Sequence, residues 1–165
     1  MSAPAAPESF AGGAREALAR ALAAGEPVFL PQVPFRDARG WSLMNQLQGV
    51  LDPAGQVNYS LMRPGVVKAW HRHERQTDFW LPVLGRVRAG VHRESDGRKW
   101  LLDFGEDRPG VLVIPPGLWH GVAVLGGGPA GLLYYVTRSY EASSPDEQRM
   151  PEDAVAGFAW RPAGT

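Results

Sequence analysis

The sequence predicts an all-β domain, a small barrel or sandwich, with one short helix near its N-terminus. Three observations carry this. From Pro27 onward, short runs rich in β-branched and aromatic residues recur between Gly and Pro, the signature of many short strands joined by turns. Helical spacing of apolar residues is confined to one Ala-rich stretch before Gly25. The 165 residues, 44% apolar and 21% charged, suit one globular domain with a real core.

Residues 1–9 are small and Pro-containing, which predicts a mobile lead-in. Ala14 to Ala24 reads as the helix, with Leu18 and Leu22 four apart and Gly25 as its stop. Eleven residues are too few for a stable isolated helix, so it must dock on the body. The strands that follow are expected at Val57–Arg63, Val66–His71, Phe79–Leu84, Val87–Arg93, Trp100–Phe104, Val111–Ile114, Val122–Leu125 and Leu132–Thr137. Gly126-Gly127-Gly128 is a turn between strands; no helix follows it, so it is no phosphate loop. From Glu141 the tail is polar, with Pro145, Pro151 and Pro162, but its Phe158 and Trp160 should pack back on the body. The division is therefore residues 1–26, lead-in and helix, and residues 27–165, barrel with tail.

Composition excludes several functions. The 17 basic and 17 acidic side chains cancel, so no field attracts nucleic acid or an anionic membrane. With no cysteine, disulfides, thiolate metal sites and a cysteine nucleophile are excluded. No apolar stretch approaches the ~18 residues of a membrane span, and no basic region followed by an apolar run marks a secretory leader. The sequence reads as soluble and cytoplasmic.

One spacing is chemically loaded. Gly65 is followed by His71 and His73, then Asp78 and Gly85, and further on Pro115-Pro116-Gly117-Leu118-Trp119-His120. His71 and His73, two apart, project from one face of a strand. Asp78 and His120 join them only if a small barrel folds back on itself, as in a cupin pocket. Three imidazoles and a carboxylate suit a divalent first-row metal. They also suit proton transfer, because histidine titrates near neutral pH. The roles compete, since a nitrogen bound to metal cannot take a proton. Lys68, three before His71, has the wrong parity to share its face on a regular strand; only a bulge or a family precedent would bring it there. Of adjacent Tyr134 and Tyr135, one belongs in the core and the other can line a cavity. Trp70, Trp80, Trp100 and Trp119 read as barrel filling, and His92 as solvated.

From about Phe35 to Trp160 the chain resembles the dTDP-4-dehydrorhamnose 3,5-epimerases, sugar-nucleotide epimerases of the cupin superfamily. Asp37-Ala38-Arg39-Gly40 is similar to the family's Asp-x-Arg-Gly, and Gln56-Val57-Asn58-Tyr59-Ser60 to its Gln-x-Asn-x-Ser. Gly65-Val66-Val67-Lys68-Ala69-Trp70-His71 parallels Gly-Val-x-Arg-Gly-Leu-His, which ends on the catalytic base. Ile114 to Gly121 mirrors Ile-Pro-x-Gly-Phe-x-His-Gly, and Tyr134 through Thr137 to Tyr140 resembles Tyr-x-x-Thr-x-x-Tyr, whose first tyrosine is the proposed acid. Asp153 falls where the family places the aspartate that orients its histidine. The departures are Lys68 for arginine, His73 for glutamine, Asp78 near the place of a lysine, and loss of a glutamate after Arg39-Gly40. They swap an epimerase lysine for metal-ligand types and mark a divergent branch.

The resemblance implies a cupin-type double-stranded β-helix, or jelly roll, and a homodimer exchanging N-terminal strands. It implies proton abstraction at C3 or C5 of a dTDP-4-keto-6-deoxyhexose, without cofactor. His71 would be the base, Asp153 its orienting carboxylate, Tyr134 the acid on the opposite face, and Lys68 or His120 the partner of the enolate oxygen. Arg39, Gln56 and Asn58 would hold the nucleotide diphosphate, with Ser60 and Tyr140 beside them. Two alternatives stay open. One is a metal-dependent cupin, an isomerase or dioxygenase, with Fe, Mn, Ni or Zn on His71, His73, Asp78 and His120. The other is a non-catalytic sugar-binding cupin.

Overall fold

The computed structural model describes residues 3–161. The elements in order are β1 (Glu8–Ser9), α1 (Ala14–Ala24), β2 (Val28–Pro31), β3 (Phe35–Asp37), β4 (Gly40–Ser42), β5 (Gln56–Met62), β6 (Val67–Arg72) and β7 (Asp78–Leu84). There follow β8 (Arg86–Arg93), β9 (Arg98–Gly105), β10 (Gly110–Ile114), β11 (Trp119–Leu125), β12 (Ala130–Val136) and β13 (Gln148–Arg149). A six-stranded sheet runs β1-β2-β10-β7-β12-β5 and faces a five-stranded sheet running β13-β6-β11-β8-β9. Neighbours in both sheets are almost all non-consecutive, the crossing pattern of a jelly roll. All eight anticipated strands are present, with ends shifted by a few residues.

Three apolar clusters hold the layers. Between the sheets, Phe29, Trp80, Leu112 and Leu132 of one meet Val87, Val91, Trp100 and Phe104 of the other. On the outer face of the six-stranded sheet lies α1, closed at Gly25 in the left-handed conformation (φ 59°). The anticipated Leu18–Leu22 stripe is not its docking face: Ala14, Ala17 and Ala21 are buried, Leu18 is half-buried, and Leu22 is 52% exposed. Small alanines let the helix axis sit close to Val28, Val111 and Val113, which long side chains would prevent.

The third cluster covers the outer face of the five-stranded sheet. Trp70 stacks with Phe158 and Trp160 at ring separations of 4.9 and 4.6 Å. The indole N–H groups of Trp70 and Trp160 both donate to the Glu152 carbonyl, at 3.1 Å each. Gly90 and Gly121, paired across β8 and β11, leave the flat on which these rings rest; a Cβ on either would strike them within 2.8 Å. Arg88 and Lys99 pin the tail by donating to the carbonyls of Ala159 and Ala156. The tail thus packs back as anticipated; Pro162 lies outside the described residues.

The lead-in is not loose where it is described. Ala5 exchanges backbone hydrogen bonds with Lys99 and Leu101 at 2.9 and 2.8 Å, and β1 pairs parallel with β2. Sheet-edge bonds use only main chain, which composition cannot reveal; residues 1 and 2 lie outside the described residues.

Candidate active site

β5 puts polar residues inward and apolar residues outward. Gln56, Asn58 and Ser60 line a cavity of about 930 Å³, while Val57, Tyr59 and Leu61 are 58%, 54% and 63% exposed. Tyr134 lies opposite Asn58 in register and lines the same cavity, whereas Tyr135 is buried on the other face and its hydroxyl accepts from the Asp52 N–H. Across the cavity stands β6 with Lys68 and His71. Their shared face has a specific cause. Between His71 and Lys68, β6 spends three residues where β11 spends two, from His120 to Val122, so a bulge restores the parity. Lys68 then reaches Ser60, its Nζ donating to Oγ at 2.6 Å.

His71 pairs directly with His120 on β11, and their ring centroids are 4.2 Å apart. His73 follows the end of β6, 5.6 Å from both rings. Asp78 enters from the facing sheet at the start of β7, 3% exposed. The ligand-type atoms of these four residues lie within 4.8 Å of one another. The site anticipated from spacing is therefore assembled.

Several polar atoms around it are fixed by hydrogen bonds. His73 Nδ1 donates to the Asp146 carbonyl, and His120 Nδ1 donates to the Leu118 carbonyl at 2.8 Å. Both bonds fix the tautomer and leave Nε2 toward the centre. Gln76 Nε2 and Trp80 Nε1 hold Asp78 Oδ1 and Oδ2 at 2.8 and 3.2 Å. These two residues were not anticipated; their i±2 spacing from Asp78 on one strand is the signal that would have found them. His120 Nε2, buried and without a hydrogen-bond partner, lies 3.5 Å from Asp78 Oδ2.

Burial, aided by the charges of His120, His73 and Arg149 and opposed by Asp78, holds the His71 imidazole well below the usual histidine range. It is a neutral base at neutral pH. Burial works against ionisation of Asp78, but the close approach and charge of the His120 imidazole, then the charges of His73 and His71, outweigh it and bring the carboxyl to about 2. Burial, then Asp78 and Glu147, pushes the Tyr134 phenol up, so it stays a protonated donor.

Two anticipated residues do not reach the cavity. Asp153 is exposed in the segment behind β6, where Glu152 and Val155 face Trp70. Neighbouring strand residues point to opposite faces, so the segment that packs on Trp70 cannot orient His71. Arg39 lies at the turn of the β3–β4 hairpin, a separate two-stranded sheet, with its side chain 87% exposed and paired to Asp37. Tyr140 stands at the cavity rim, 68% exposed.

The set can take donors and acceptors from both sides of a bound molecule, because His71 and Lys68 belong to one sheet and Tyr134 and Asp78 to the other. Its three imidazoles and one carboxylate, with backbone-fixed tautomers and an orphaned nitrogen, also fit a divalent transition ion.

No family model matches the chain. It is 39% identical over 132 residues to the spore coat polysaccharide biosynthesis protein SpsL of Bacillus subtilis, a match covering 75% of this chain and 87% of that one. It is 41% identical over 101 residues to the probable low-salt glycan biosynthesis epimerase Agl13 of Haloferax volcanii, covering 58% and 65% of the two chains. Among solved structures, a dTDP sugar isomerase from Desulfovibrio desulfuricans superposes with a TM-score of 0.72 at 24% identity, over 84% of this chain and 92% of that one.

Proposed function

The chain belongs to the dTDP-sugar 3,5-epimerase-like family of cupins, as a divergent branch, and from that premise we propose that it epimerises a nucleotide-linked 4-keto-6-deoxyhexose at C3 or C5. The observation that carries this reading is the placement of His71 and Tyr134 on facing sheets around one cavity. Inversion of a carbon centre requires a proton to leave one face and return to the other. The neighbouring ketone acidifies the hydrogen; neutral His71 removes it, and the Tyr134 hydroxyl returns a proton from across the cavity. The enolate oxygen needs a cation or donor, and the Lys68 ammonium, set by Ser60 on the base's side, supplies it. With Asp153 remote, Asp78 is the carboxylate that balances an imidazolium formed on His71. Gln56, Asn58 and Ser60 face the bound sugar nucleotide.

We further infer a homodimer acting in the cytoplasm, where nucleotide sugars are made. The outward row Val57, Tyr59 and Leu61 on edge strand β5, and the exposed β3–β4 hairpin carrying Arg39, are surfaces a second copy would cover.

Incubation with a dTDP-4-keto-6-deoxyhexose in heavy water is the test. The wild type should wash deuterium into C3 or C5, and His71→Ala should abolish the exchange with circular dichroism unchanged. A wild type that binds the nucleotide sugar without exchange is a sugar-binding cupin, and the epimerase reading is then wrong.

The four-residue cluster favours a second reading, in which His71, His73, Asp78 and His120 hold one divalent transition ion. Such an ion would polarise the ketone and stabilise its enolate. The chain's own contribution is then to fix the His73 and His120 tautomers through Asp146 and Leu118 and to orient Asp78 through Gln76 and Trp80. Elemental analysis of protein purified without added metal should find about one equivalent per chain under this reading, and none if His71 is a free base.

A further inference from the structure

Four cationic side chains line the cavity: Lys68, Arg75, Arg138 and Arg149. Arg149 is paired with Glu147 at 3.0 Å, and Arg75 lies 3.8 Å from Asp146 while donating to the Ser144 carbonyl at 3.2 Å. The acids at this rim are also engaged. Asp146 caps the backbone N–H groups of Glu74 and Arg75 at 2.9 Å each, and Glu141 accepts from Ser143 Oγ at 2.9 Å. Arg138 differs: its Nε donates to the Arg75 carbonyl at 3.1 Å, and its terminal nitrogens have no acidic partner among the described residues.

Arg138 is nonetheless fixed in place. Thr137 and Thr77 exchange two bonds, backbone N–H to carbonyl at 3.1 Å and backbone N–H to Oγ1 at 2.9 Å, and Gln56 Oε1 accepts from the Tyr140 N–H at 2.9 Å. The Thr137–Thr77 and Arg138–Arg75 bonds fasten residues 137–138 to the 73–77 loop, and Gln56 holds residue 140 to β5, so both guanidinium groups ride on one corner of the cavity. That loop begins at His73. Two residues of chain span at most ~7 Å, a reach comparable to that from a reacting hexose carbon to a phosphate on C1.

We propose that Arg75 and Arg138, from the same chain as the reacting cluster, clamp the diphosphate of the nucleotide-linked substrate. The planar guanidinium fork matches phosphate oxygens in pairs, and two of them span adjacent phosphoryl groups. Arg138 brings a guanidinium free of any acidic partner among the described residues to a cavity mouth where Arg75 and Arg149 face Asp146 and Glu147. The clamp takes over the role that the family resemblance implied for Arg39, and Gln56 acts partly through Tyr140 by holding its backbone. This inference rests on the epimerase reading, which supplies the diphosphate.

The test is calorimetric titration of the full chain with dTDP, UDP and GDP, and with thymidine as a phosphate-free control. Wild-type protein should bind at least one diphosphate, more weakly as salt rises. Arg138→Ala should weaken that binding about 10- to 100-fold, and Arg138→Lys, which keeps the charge but not the fork, by less. Thymidine binding should not change in either variant. Wild-type affinity in Arg138→Ala overturns the clamp and leaves the epimerase reading intact, as does a loss confined to Arg39→Ala. A wild type that binds no nucleoside diphosphate overturns both.

Discussion

Replacing Tyr134 by phenylalanine removes one oxygen and little else. The ring packs against the inter-sheet core, half-buried, and phenylalanine keeps those contacts. Stability should therefore move by less than about 1 kcal/mol. The chemistry should change far more. A positioned general acid contributes about 10²- to 10⁴-fold, which is ~3–5 kcal/mol of barrier, and the raised phenol loses its proton to nothing else in the cavity at neutral pH. His71, on the other sheet, is untouched, so hydrogen should still leave the substrate. Tyr134→Phe should thus uncouple two readouts. Net epimerisation, followed by NMR of the product sugar, falls 10²-fold or more, while deuterium exchange at the same carbon persists. Equal loss of both would place Tyr134 in proton removal or binding. Full turnover in Tyr134→Phe would remove it from the mechanism altogether.

Lys68→Met keeps the stem and deletes the ammonium beside Ser60; kcat should fall about 10²- to 10³-fold, as for loss of one oxyanion donor, and an unchanged kcat assigns that task elsewhere. Because the folded His71 lies well below its ordinary 6.5, it stays a base as pH falls, and the acid limb of kcat/KM should sit well below pH 6.5. The same shift has a stability consequence: the unfolded chain binds a proton below 6.5 that the folded chain refuses, so stability is complete above 6.5 and declines below it. His71→Gln should flatten the fall in Tm between pH 7.5 and 5.5, and an identical fall in both proteins refutes the assignment. Asp78 has the depressed carboxylate pattern, its contribution being complete above 3.8 and lost as pH falls through about 2. Trp160→Ala empties the site over Gly90 and Gly121 and should cost ~3–5 kcal/mol in urea unfolding; a cost under 1 kcal/mol would mean the tail contributes little.

The amino-acid order by itself determined the helix, the strands β5 to β12 and the reacting set, but not β1–β4 or β13. Turn residues at regular intervals delimited the eight barrel strands, and the Ala-rich run with its glycine stop delimited the helix, because these signals are local. His71, His73, Asp78 and His120 were legible because their spacing has chemical meaning before any fold is known. What needed the third dimension was everything set by register and by packing between distant segments. The bulge that turns Lys68 inward exists only relative to β11. The removal of Asp153 follows from the tail's docking on Trp70, which commits that segment to the outer face. The isolation of Arg39 follows from a hairpin that pairs with neither large sheet, and the joining of Arg75 to Arg138 depends on a side chain finding a carbonyl 63 residues away. Local patterns fix which way a strand alternates, but only tertiary contacts decide which alternate face becomes the inside.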